Sequence, residues 1–219
     1  MNKTITIKNS GEKIPINKIV CVGRNYVEHI NELGNEIPEK PVVFLKPNSS
    51  VIFNGDEIVY PSYSQDMHHE VELLLLIGQT IKNANLQQAE DAIIGYGLGL
   101  DMTLRDVQNE MRKKGYPWTK AKCFDTSAVI SDFILKKDYH LTLEEELLLK
   151  VNDEVRQKDK LKKMIFKPAE VVEYLSSIMT LEYGDIIFTG TPQGVSKVNI
   201  GDRLFAALDD LITLECQVI

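Results

Sequence analysis

Short runs of apolar residues, most of them bounded by polar or turn-forming residues, recur along the chain. Runs of this length, whether continuous or alternating with polar residues, are typical of β-strands. They predict strands at Ile19–Val22, Val42–Leu45, Glu57–Tyr60, Val71–Ile77, Ile94–Leu100, Ile186–Thr189, Leu204–Leu208 and Leu211–Val218. Residues Met1–Ser10 alternate in the same way, as an edge strand does. Strands are therefore expected to dominate the fold.

Helical signals are fewer. They predict helices at Thr103–Lys114, which Gly115 ends, and at Pro168–Met179, where a proline suits the first turn. A shorter helix is predicted at Leu86–Ala92, and a helix at Tyr26–Leu33 is a further hypothesis. The mixture of strands with a few helices favours the α+β class.

The segment Glu146–Gln157 predicts a β-hairpin, because Asn152-Asp153 in its middle can turn the chain. The charged segment Lys158–Lys163 that follows is expected to be a solvated loop. No long linker, low-complexity tract or repeat interrupts the sequence. We therefore expect one domain over residues 17–219, preceded by a short extension over residues 1–16.

The charge balance narrows the classes of partner. The chain has 219 residues, a formal net charge of -7 and a pI near 5.2. Nucleic acids and anionic lipids are bound mainly through an excess of Lys and Arg, so neither is an expected partner. The longest purely apolar run, Leu73–Ile77, is far too short to span a bilayer.

Cysteine usage points to a reducing compartment. Cys21, Cys123 and Cys216 are odd in number, far apart and in no metal-ligand spacing. This pattern is typical of reduced, buried thiols rather than of a disulfide framework. The residues at the start also lack the apolar stretch of a secretory signal. A cytoplasmic location is therefore expected.

Two carboxylates open the most apolar strand. Glu70 and Glu72 stand at positions i and i+2, so on a strand they share one face. Carboxylates that point together into a partly closed site repel each other, so protonation, a basic partner or a hard cation must compensate, and a cation is the simplest of these. An isolated pair of this kind lies more often on the wet side of a half-buried strand.

A third carboxylate strengthens the metal hypothesis. Asp101 ends a glycine-rich apolar run just before a predicted helix, where it could face a pocket or cap the helix. Three carboxylates suit Mg²⁺ or Mn²⁺ better than Zn²⁺, which prefers His and Cys. His68 and His69 are expected to orient these carboxylates from behind rather than to bind the ion.

Several segments carry a resemblance to a known family. They are Gly23-Arg24-Asn25-Tyr26 with His29, Phe44-Leu45-Lys46-Pro47, His69-Glu70-Val71-Glu72, Leu100-Asp101-Met102-Thr103 with Arg105-Asp106-Val107-Gln108, Trp118 with Lys120-Ala121-Lys122, and Thr189-Gly190-Thr191-Pro192. In order, spacing and residue type they resemble the fumarylacetoacetate hydrolase family, from Ile19 to the C-terminus. The likeness is to its acylpyruvase and oxaloacetate decarboxylase branch.

The resemblance implies a fold and a metal site. The fold is a mixed β-roll with a few peripheral helices, and the family is usually homodimeric. Glu70, Glu72 and Asp101 match the residues that bind Mg²⁺ or Mn²⁺ in the family.

The resemblance also implies a mobile lid. His29 and Glu32 match a His-x-x-Glu pair that the family carries there, and one helical turn would place both on one face. Glu32 could orient or deprotonate His29, or itself activate a water. The helix-breaking Gly34, Asn35 and Pro38 fit a lid that orders when ligand binds. Without the family context, a solvated helix surface is the more common meaning of such a pair.

Further matches define a substrate pocket. Lys122 matches the active-site lysine of the family, which could neutralise an oxyanion or carboxylate. Arg24, Arg105 and Gln108 match pocket residues, although Arg105 could instead pair with the metal-site carboxylates. Thr191 can donate a hydrogen bond to a substrate carboxylate, or belong to an ordinary turn.

The function implied by the resemblance is hydrolysis of a C–C bond in a small 2,4-dioxo acid, of the acylpyruvate or fumarylpyruvate type. The metal would stabilise a pyruvate enolate as leaving group. Oxaloacetate decarboxylation and isomerisation or tautomerisation of a 2-hydroxyhepta-2,4-diene-1,7-dioate are alternatives. A protein that binds metal or metabolite without catalysis is the alternative outside the enzymes.

Overall fold

The computed structural model describes residues 3–32 and 36–219. Within these residues the strands, β1 to β17 in chain order, are Thr4–Thr6, Lys13–Pro15, Ile19–Gly23, Val42–Lys46, Val51–Phe53, Glu57–Ile58, Met67–His68, Val71–Ile77, Ile93–Asp101, Thr103–Leu104, Ala128–Ile130, Ile134–Leu135, Glu146–Val151, Glu154–Lys160, Ile186–Phe188, Arg203–Leu208 and Ile212–Val218. The α-helices in the same residues, α1 to α5, are Val27–Glu32, Leu86–Ala92, Arg105–Lys114, Thr119–Lys122 and Pro168–Ile178. Short 3-10 turns lie at Asn48–Ser50 and Leu161–Lys163.

A mixed sheet of eight strands forms the centre of the fold. Its order is β4-β3-β15-β8-β9-β11-β5, and β12 also pairs with β9. The pairs β15–β3 and β11–β5 are parallel, and the others are antiparallel. Strands β8 and β9 lie side by side in the middle, with Val71 opposite Leu100 and Glu72 opposite Gly99.

The continuous apolar run in β8 follows from its position between two cores. Leu73 and Leu75 belong to a core shared with a second sheet, whereas Leu74 and Leu76 belong to a core shared with Ile5 and the rest of the N-terminal hairpin. A strand covered on both faces must be apolar at every position, not only at every second one. This double burial explains why Leu73–Ile77 is the most apolar run of the chain.

The second sheet has the order β14-β13-β16-β17-β6. Its strands β13, β16 and β17 contact β8 or β9, so the two sheets enclose the larger core. The helices lie at the periphery, where α2 and α5 contact each other and α3 contacts α4. The α+β class and the mixed β-roll with few helices, both expected from the sequence, are confirmed.

The predicted strands are present, and most ends agree within one or two residues. The hairpin is also present, with Asn152 and Asp153 at φ values of 50° and 68°, as a tight hairpin turn requires. The predicted helix Thr103–Lys114 begins two residues late, because Thr103 and Leu104 pair with β7 as strand β10. The segments β2, β5, β7, β11, β12 and α4 were not predicted.

The prediction of a solvated loop at Lys158–Lys163 was wrong. Strand β14 continues to Lys160, and residues 156–161 alternate between exposed and buried. The buried positions are Gln157, Asp159 and Leu161. Two of these three inward side chains are polar, so the hydropathy pattern did not reveal a strand.

The segment expected to form the lid is only partly described. Helix α1 covers Val27–Glu32, in agreement with the hypothesis of a helix there, and Leu33, Gly34 and Asn35 lie outside the described residues. No helix in residues 3–32 and 36–219 has the length and apolar character needed to cross a membrane.

Candidate metal centre and active site

Three carboxylates from neighbouring strands meet at one end of the central sheet. Glu72 lies on β8, Glu70 immediately precedes that strand, and Asp101 is the last residue of β9. All three are buried, and each can offer an oxygen within 4.8 Å of the oxygens of the other two. The antiparallel pairing of β8 with β9 brings the carboxylates together although they are far apart in sequence.

Lys122 lies directly against this triad. Its Nζ is 2.8 Å from Glu70 Oε2, 2.5 Å from Asp101 Oδ2 and 2.6 Å from Thr103 Oγ1. The four-residue helix α4, whose last residue is Lys122, holds the side chain there. Burial alone would lower the pKa of Lys122, but the charges of Asp101 and Glu70 outweigh it and raise the pKa. Lys122 is therefore a fixed cation in the site.

Arg105 occupies the opposite side of Glu70. Its Nη2 donates to Glu70 Oε1, and its Nη1 donates to Gln108 Oε1 at 2.6 Å. Both residues lie in the first turn of α3, so the i, i+3 spacing aligns them. Arg105 was expected either to bind substrate in the pocket or to pair with a metal-site carboxylate. In the structure it pairs with the carboxylate of Glu70.

A second buried lysine supports the site from below. Lys46, at the end of β4, donates to the backbone carbonyl of Lys122 and, at 3.0 Å each, to Ser127 O and Oγ. Its Nζ also lies 2.9 Å from Asp101 Oδ1. Sequence reasoning missed this role, because the lysine stands among apolar residues of an edge strand and no spacing rule marks it.

The donor set fits a divalent cation. Within the described residues, the only polar contact of buried Asp101 Oδ1 is the ion pair with Lys46 at 2.9 Å. A carboxylate oxygen has more than one lone pair, so Oδ1 retains the capacity to bind a metal ion. Glu70, Glu72 and Asp101 together offer only oxygen, which suits Mg²⁺ or Mn²⁺.

The electrostatics of the triad agree with this fit. Burial opposes ionisation of Glu70, but the charges of Lys122 and Arg105 outweigh it, so the pKa of Glu70 is well below its usual value. Burial and the charges of Asp101 and Glu70 raise the pKa of Glu72 well above its usual value. A nearby divalent cation would relieve this repulsion and favour the ionised form of Glu72.

The loop after β15 closes the site on another side. Gly190 N donates to Glu72 Oε2 at 2.7 Å. Gly190 has a φ of +98°, and a Cβ there would lie 2.7 Å from the Cβ of Asn25. Only glycine fits this approach, which also places Thr191 at the pocket.

His29 and Glu32 lie beside the pocket. Buried His29 has its Nδ1 3.4 Å from Glu32 Oε2, and both Glu32 oxygens accept from Gly194 N at 3.2 Å. Burial opposes ionisation of Glu32, but the hydrogen bonds from His29 and Gly194 outweigh it and lower its pKa. The carboxylate is thus kept ionised and next to the imidazole.

The pocket collects most of the predicted site residues. It is lined by Arg24, His29, Glu70, Glu72, Arg105, Gln108, Lys122 and Thr191, together with Val22, Gly23, Phe44, Arg112 and Trp118. Of the predicted residues, Asp101 and Glu32 are not part of this lining, but they contact the lining residues Lys122 and His29. Arg24 has the left-handed φ of 60°, which is uncommon for a non-glycine residue and found often at binding sites. Arg112 was not predicted.

The expectation about His68 and His69 was wrong, and the alternative role of Asp101 as a helix cap is excluded. His68 and His69 do not hold the carboxylates: His68 Nε2 pairs with Asp66, and His69 bonds to Gln157 and Ser196. His69 points away from Glu70 because adjacent residues of an extended chain face opposite sides, whereas His68 is held by its bond to Asp66. Burial lowers the pKa of His69 to about 4. Asp101 does not cap α3, whose N-cap residue is Leu104.

Comparison with known proteins identifies relatives over nearly the whole chain. The family model described as fumarylacetoacetate (FAA) hydrolase C-terminal matches residues 18–219. The mitochondrial oxaloacetate tautomerase of Arabidopsis thaliana is 47% identical over 201 residues, which cover 92% of this chain and 90% of the relative. The oxaloacetate tautomerase of Escherichia coli is 43% identical over 196 residues, covering 89% and 90% respectively.

A solved structure extends the likeness to the fold. The crystal structure of fumarylpyruvate hydrolase from Pseudomonas aeruginosa in complex with Mn²⁺ and pyruvate is similar with a TM-score of 0.96 and 37% identity. The match covers 100% of this chain and 96% of that chain. The range 18–219 that the family model matches spans the carboxylate triad and the pocket described above.

Proposed function

The chain belongs to the fumarylacetoacetate hydrolase family, and on this basis we propose that it is a metal-dependent enzyme that interconverts the enol and keto forms of oxaloacetate. One observation carries the proposal: the buried triad of Glu70, Glu72 and Asp101 opens onto a pocket lined by Arg24 and Lys122. Such a pocket combines a site for a cation with positive charge for a dianion. The names of the curated relatives favour oxaloacetate as that dianion.

The residues of the pocket have separate roles in binding. Glu70, Glu72 and Asp101 would hold Mg²⁺ or Mn²⁺, which supplies Lewis-acid polarisation of the 2-oxo group. Thr191 donates to the nearer carboxylate of the substrate. Arg24, at the pocket wall, pairs with the second carboxylate. Lys122 and Arg105 keep Glu70 ionised and fixed in place.

The reaction moves one proton off C3 of the keto form and adds one to the oxygen on C2, and the reverse restores the ketone. His29 is the side chain of the lid pair that lines the pocket, and Glu32 holds its Nδ1. We assign the transfer at C3 to this pair, with Glu32 keeping the imidazole oriented. Phe44 and Trp118 form an apolar wall that limits access of water.

The test follows the ultraviolet absorbance of enol-oxaloacetate as it converts to the ketone. Glu32→Gln is expected to lower the metal-dependent rate by about 100-fold, the usual contribution of a general acid or base. Glu28→Gln on the same helix is the control, because Glu28 is paired with Lys163 at 3.4 Å and lies outside the pocket. A wild-type protein that adds nothing to the rate in Mg²⁺ buffer would refute the proposal.

Hydrolysis of an acylpyruvate or a fumarylpyruvate is the second candidate. The specific observation in its favour is the pairing of His29 with Glu32, which could activate a water, and the similar fumarylpyruvate hydrolase adds to it. The same preparation would be tested for pyruvate release from acetylpyruvate and for CO₂ release from oxaloacetate. Pyruvate release faster than enol conversion would favour hydrolysis, and CO₂ release would favour decarboxylation.

We further propose that the protein is a cytoplasmic homodimer. Support for self-association is the apolar side chains of Leu45 and Tyr116, which are 50% and 57% exposed beside a groove next to the site. Support for the cytoplasm is the free state of Cys21, Cys123 and Cys216. Light scattering after size-exclusion chromatography tests the dimer, which a mass near 24.8 kDa would contradict.

A further inference from the structure

The hairpin of β13 and β14 reaches the site although no motif of the resemblance lies on it. Gln157, on β14, is 1% exposed and lies beside the start of β8. The hairpin also packs closely on the loop after β15, because a Cβ on Gly194 would lie 2.0 Å from Arg156 O. The buried amide of Gln157 therefore lies where the hairpin, β8 and the loop after β15 meet.

Backbone groups fix the orientation of the Gln157 amide. Its Oε1 accepts from Val71 N at 3.1 Å, and its Nε2 donates to Pro192 O at 2.8 Å. A backbone N–H can only donate and a carbonyl oxygen can only accept, so exchanging the two ends of the amide would break both bonds. The donor and the acceptor of every other hydrogen bond to this amide are thereby determined.

One consequence concerns Thr191. Gln157 Nε2 donates to Thr191 Oγ1 at 2.8 Å, so the hydroxyl acts as an acceptor in this bond. Its own hydrogen must then point elsewhere, and within the described residues it is not donated to any protein group. Thr191 lines the pocket that contains Glu70 and Lys122. The free hydrogen is thereby available to a ligand.

The other consequence concerns His69. Its Nδ1 lies 2.9 Å from Gln157 Oε1, which can only accept, so Nδ1 carries a hydrogen. Its Nε2 lies 3.0 Å from Ser196 Oγ. In a neutral imidazole with its hydrogen on Nδ1, Nε2 accepts from Ser196, so the bonds form a chain with one direction, from Ser196 through His69 and Gln157 to Thr191. Such a chain is a device for setting the direction of its last hydroxyl.

We propose that Gln157 is a positioning residue that obliges Thr191 to donate its hydroxyl hydrogen to an anionic oxygen of the substrate. The identity of the substrate as a 2-oxo acid rests on the proposed function, whereas the hydrogen-bond directions rest on the contacts alone. The hairpin thus contributes to substrate binding through a side chain that does not touch the substrate.

The variant Gln157→Glu tests the direction of the chain. A carboxylate keeps the size of the amide and can accept from Val71 and His69, but it cannot donate to Pro192 O or to Thr191 Oγ1, so Thr191 would turn its hydrogen toward it. We expect the Kd of pyruvate for the Mg²⁺-loaded protein, and the KM for oxaloacetate, to rise about ten-fold or more, with a smaller change in kcat. Gln217→Glu makes the same change at an exposed position of the same sheet and is the control.

A double-mutant cycle separates positioning from general damage. Thr191→Val is expected to weaken pyruvate binding as much as Gln157→Glu does, and the double variant no further, because both remove the same hydrogen bond from Thr191 to the ligand. Thr191→Ser, which retains the hydroxyl, is expected to bind within about two-fold of wild type. Losses that add in the double variant, or an unchanged Kd in Gln157→Glu, would overturn the proposal.

A spectroscopic reading needs neither turnover nor a variant that folds. Long-range ¹⁵N–¹H correlation spectra of the wild-type protein are expected to show His69 with a hydrogen on Nδ1 and none on Nε2. The opposite tautomer would overturn the direction of the chain. If wild type turns over no oxaloacetate yet Gln157→Glu weakens pyruvate binding, the inference is supported while the proposed function fails.

Discussion

Single side chains at this site combine two duties, balancing charge and holding geometry. Lys46 shows this most plainly, because it is buried between Asp101, the carbonyl of Lys122 and Ser127. A buried charge is tolerated where groups that compensate it surround it. Removing that charge leaves those groups buried without compensation. Asp101 would lose one of its two cations, and the end of α4 would lose an anchor.

We therefore expect Lys46→Met to lower the free energy of unfolding by about 3 kcal/mol, as measured by urea denaturation of the metal-free protein. Mg²⁺ should recover part of this loss by compensating Asp101. Lys114→Met is the control, because Lys114 and Glu110 form a solvent-exposed pair whose loss is expected to change the free energy of unfolding little. Equal effects of the two substitutions would contradict the role of Lys46.

In the absence of metal, substitution of Glu72 is not expected to destabilise the protein as substitution of Lys46 does. Its carboxylate is buried beside Asp101 and Glu70, which repel it. Glu72→Gln keeps the shape and the bond from Gly190 but removes the repulsion, so the metal-free variant is expected to melt at the temperature of wild type or above it. The stabilisation that Mg²⁺ gives to wild type should disappear. A metal-free variant that melts well below wild type would show that the charge has a structural role instead.

At the scale of elements, the helices and strands that the sequence predicts correctly are those in which the hydropathy of each residue matches its burial. Val71–Ile77 was predicted without error because both faces of β8 meet apolar cores. The end of β14 was missed because its inward side chains, Gln157 and Asp159, serve polar contacts. The site followed the same rule: the carboxylates stood in recognisable motifs, whereas Gln157 depends on a contact with Thr191, 34 residues away.

The start of α3 depends on a carboxylate that the sequence did not single out. Asp106 accepts from Ser64 Oγ at 2.6 Å, from Gln65 N at 2.9 Å and from Val107 N at 2.8 Å. Burial opposes its ionisation, but the hydrogen bonds from Gln65 and Ser64 outweigh it and lower its pKa. The bonds join the loop before β7 to the helix that carries Arg105.

Asp106→Asn is expected to cost about 1 kcal/mol of unfolding free energy at pH 7. Because the folded pKa is below the unfolded value of about 3.9, this contribution is present above that value and is lost as the pH falls through the folded pKa. Urea denaturation at pH 7 and near pH 3 should show a smaller difference between the proteins at the lower pH. Asp91→Asn, at an exposed position on α2, is the control, and a difference independent of pH would contradict the account.

At the scale of the whole molecule, the two sheets bring together residues from most of the chain. Strands β8 and β9 supply the carboxylates, the helices supply Arg105 and Lys122, and the second sheet supplies Gln157. The resemblance identified the carboxylates, Arg105 and Lys122, because these residues lie in motifs of the family. It could not give the links between sheets, because these depend on how the second sheet packs against the first.

The central claim is that Glu70, Glu72 and Asp101 bind one divalent cation for chemistry on a 2-oxo acid. The most direct test is a calorimetric titration of Mn²⁺ into metal-free wild type and Glu72→Gln, each repeated with pyruvate present. The account predicts one Mn²⁺ per chain in wild type, tighter binding when pyruvate is present, and loss of the site in the variant. Equal Mn²⁺ binding by the two proteins, or none by wild type, would contradict it.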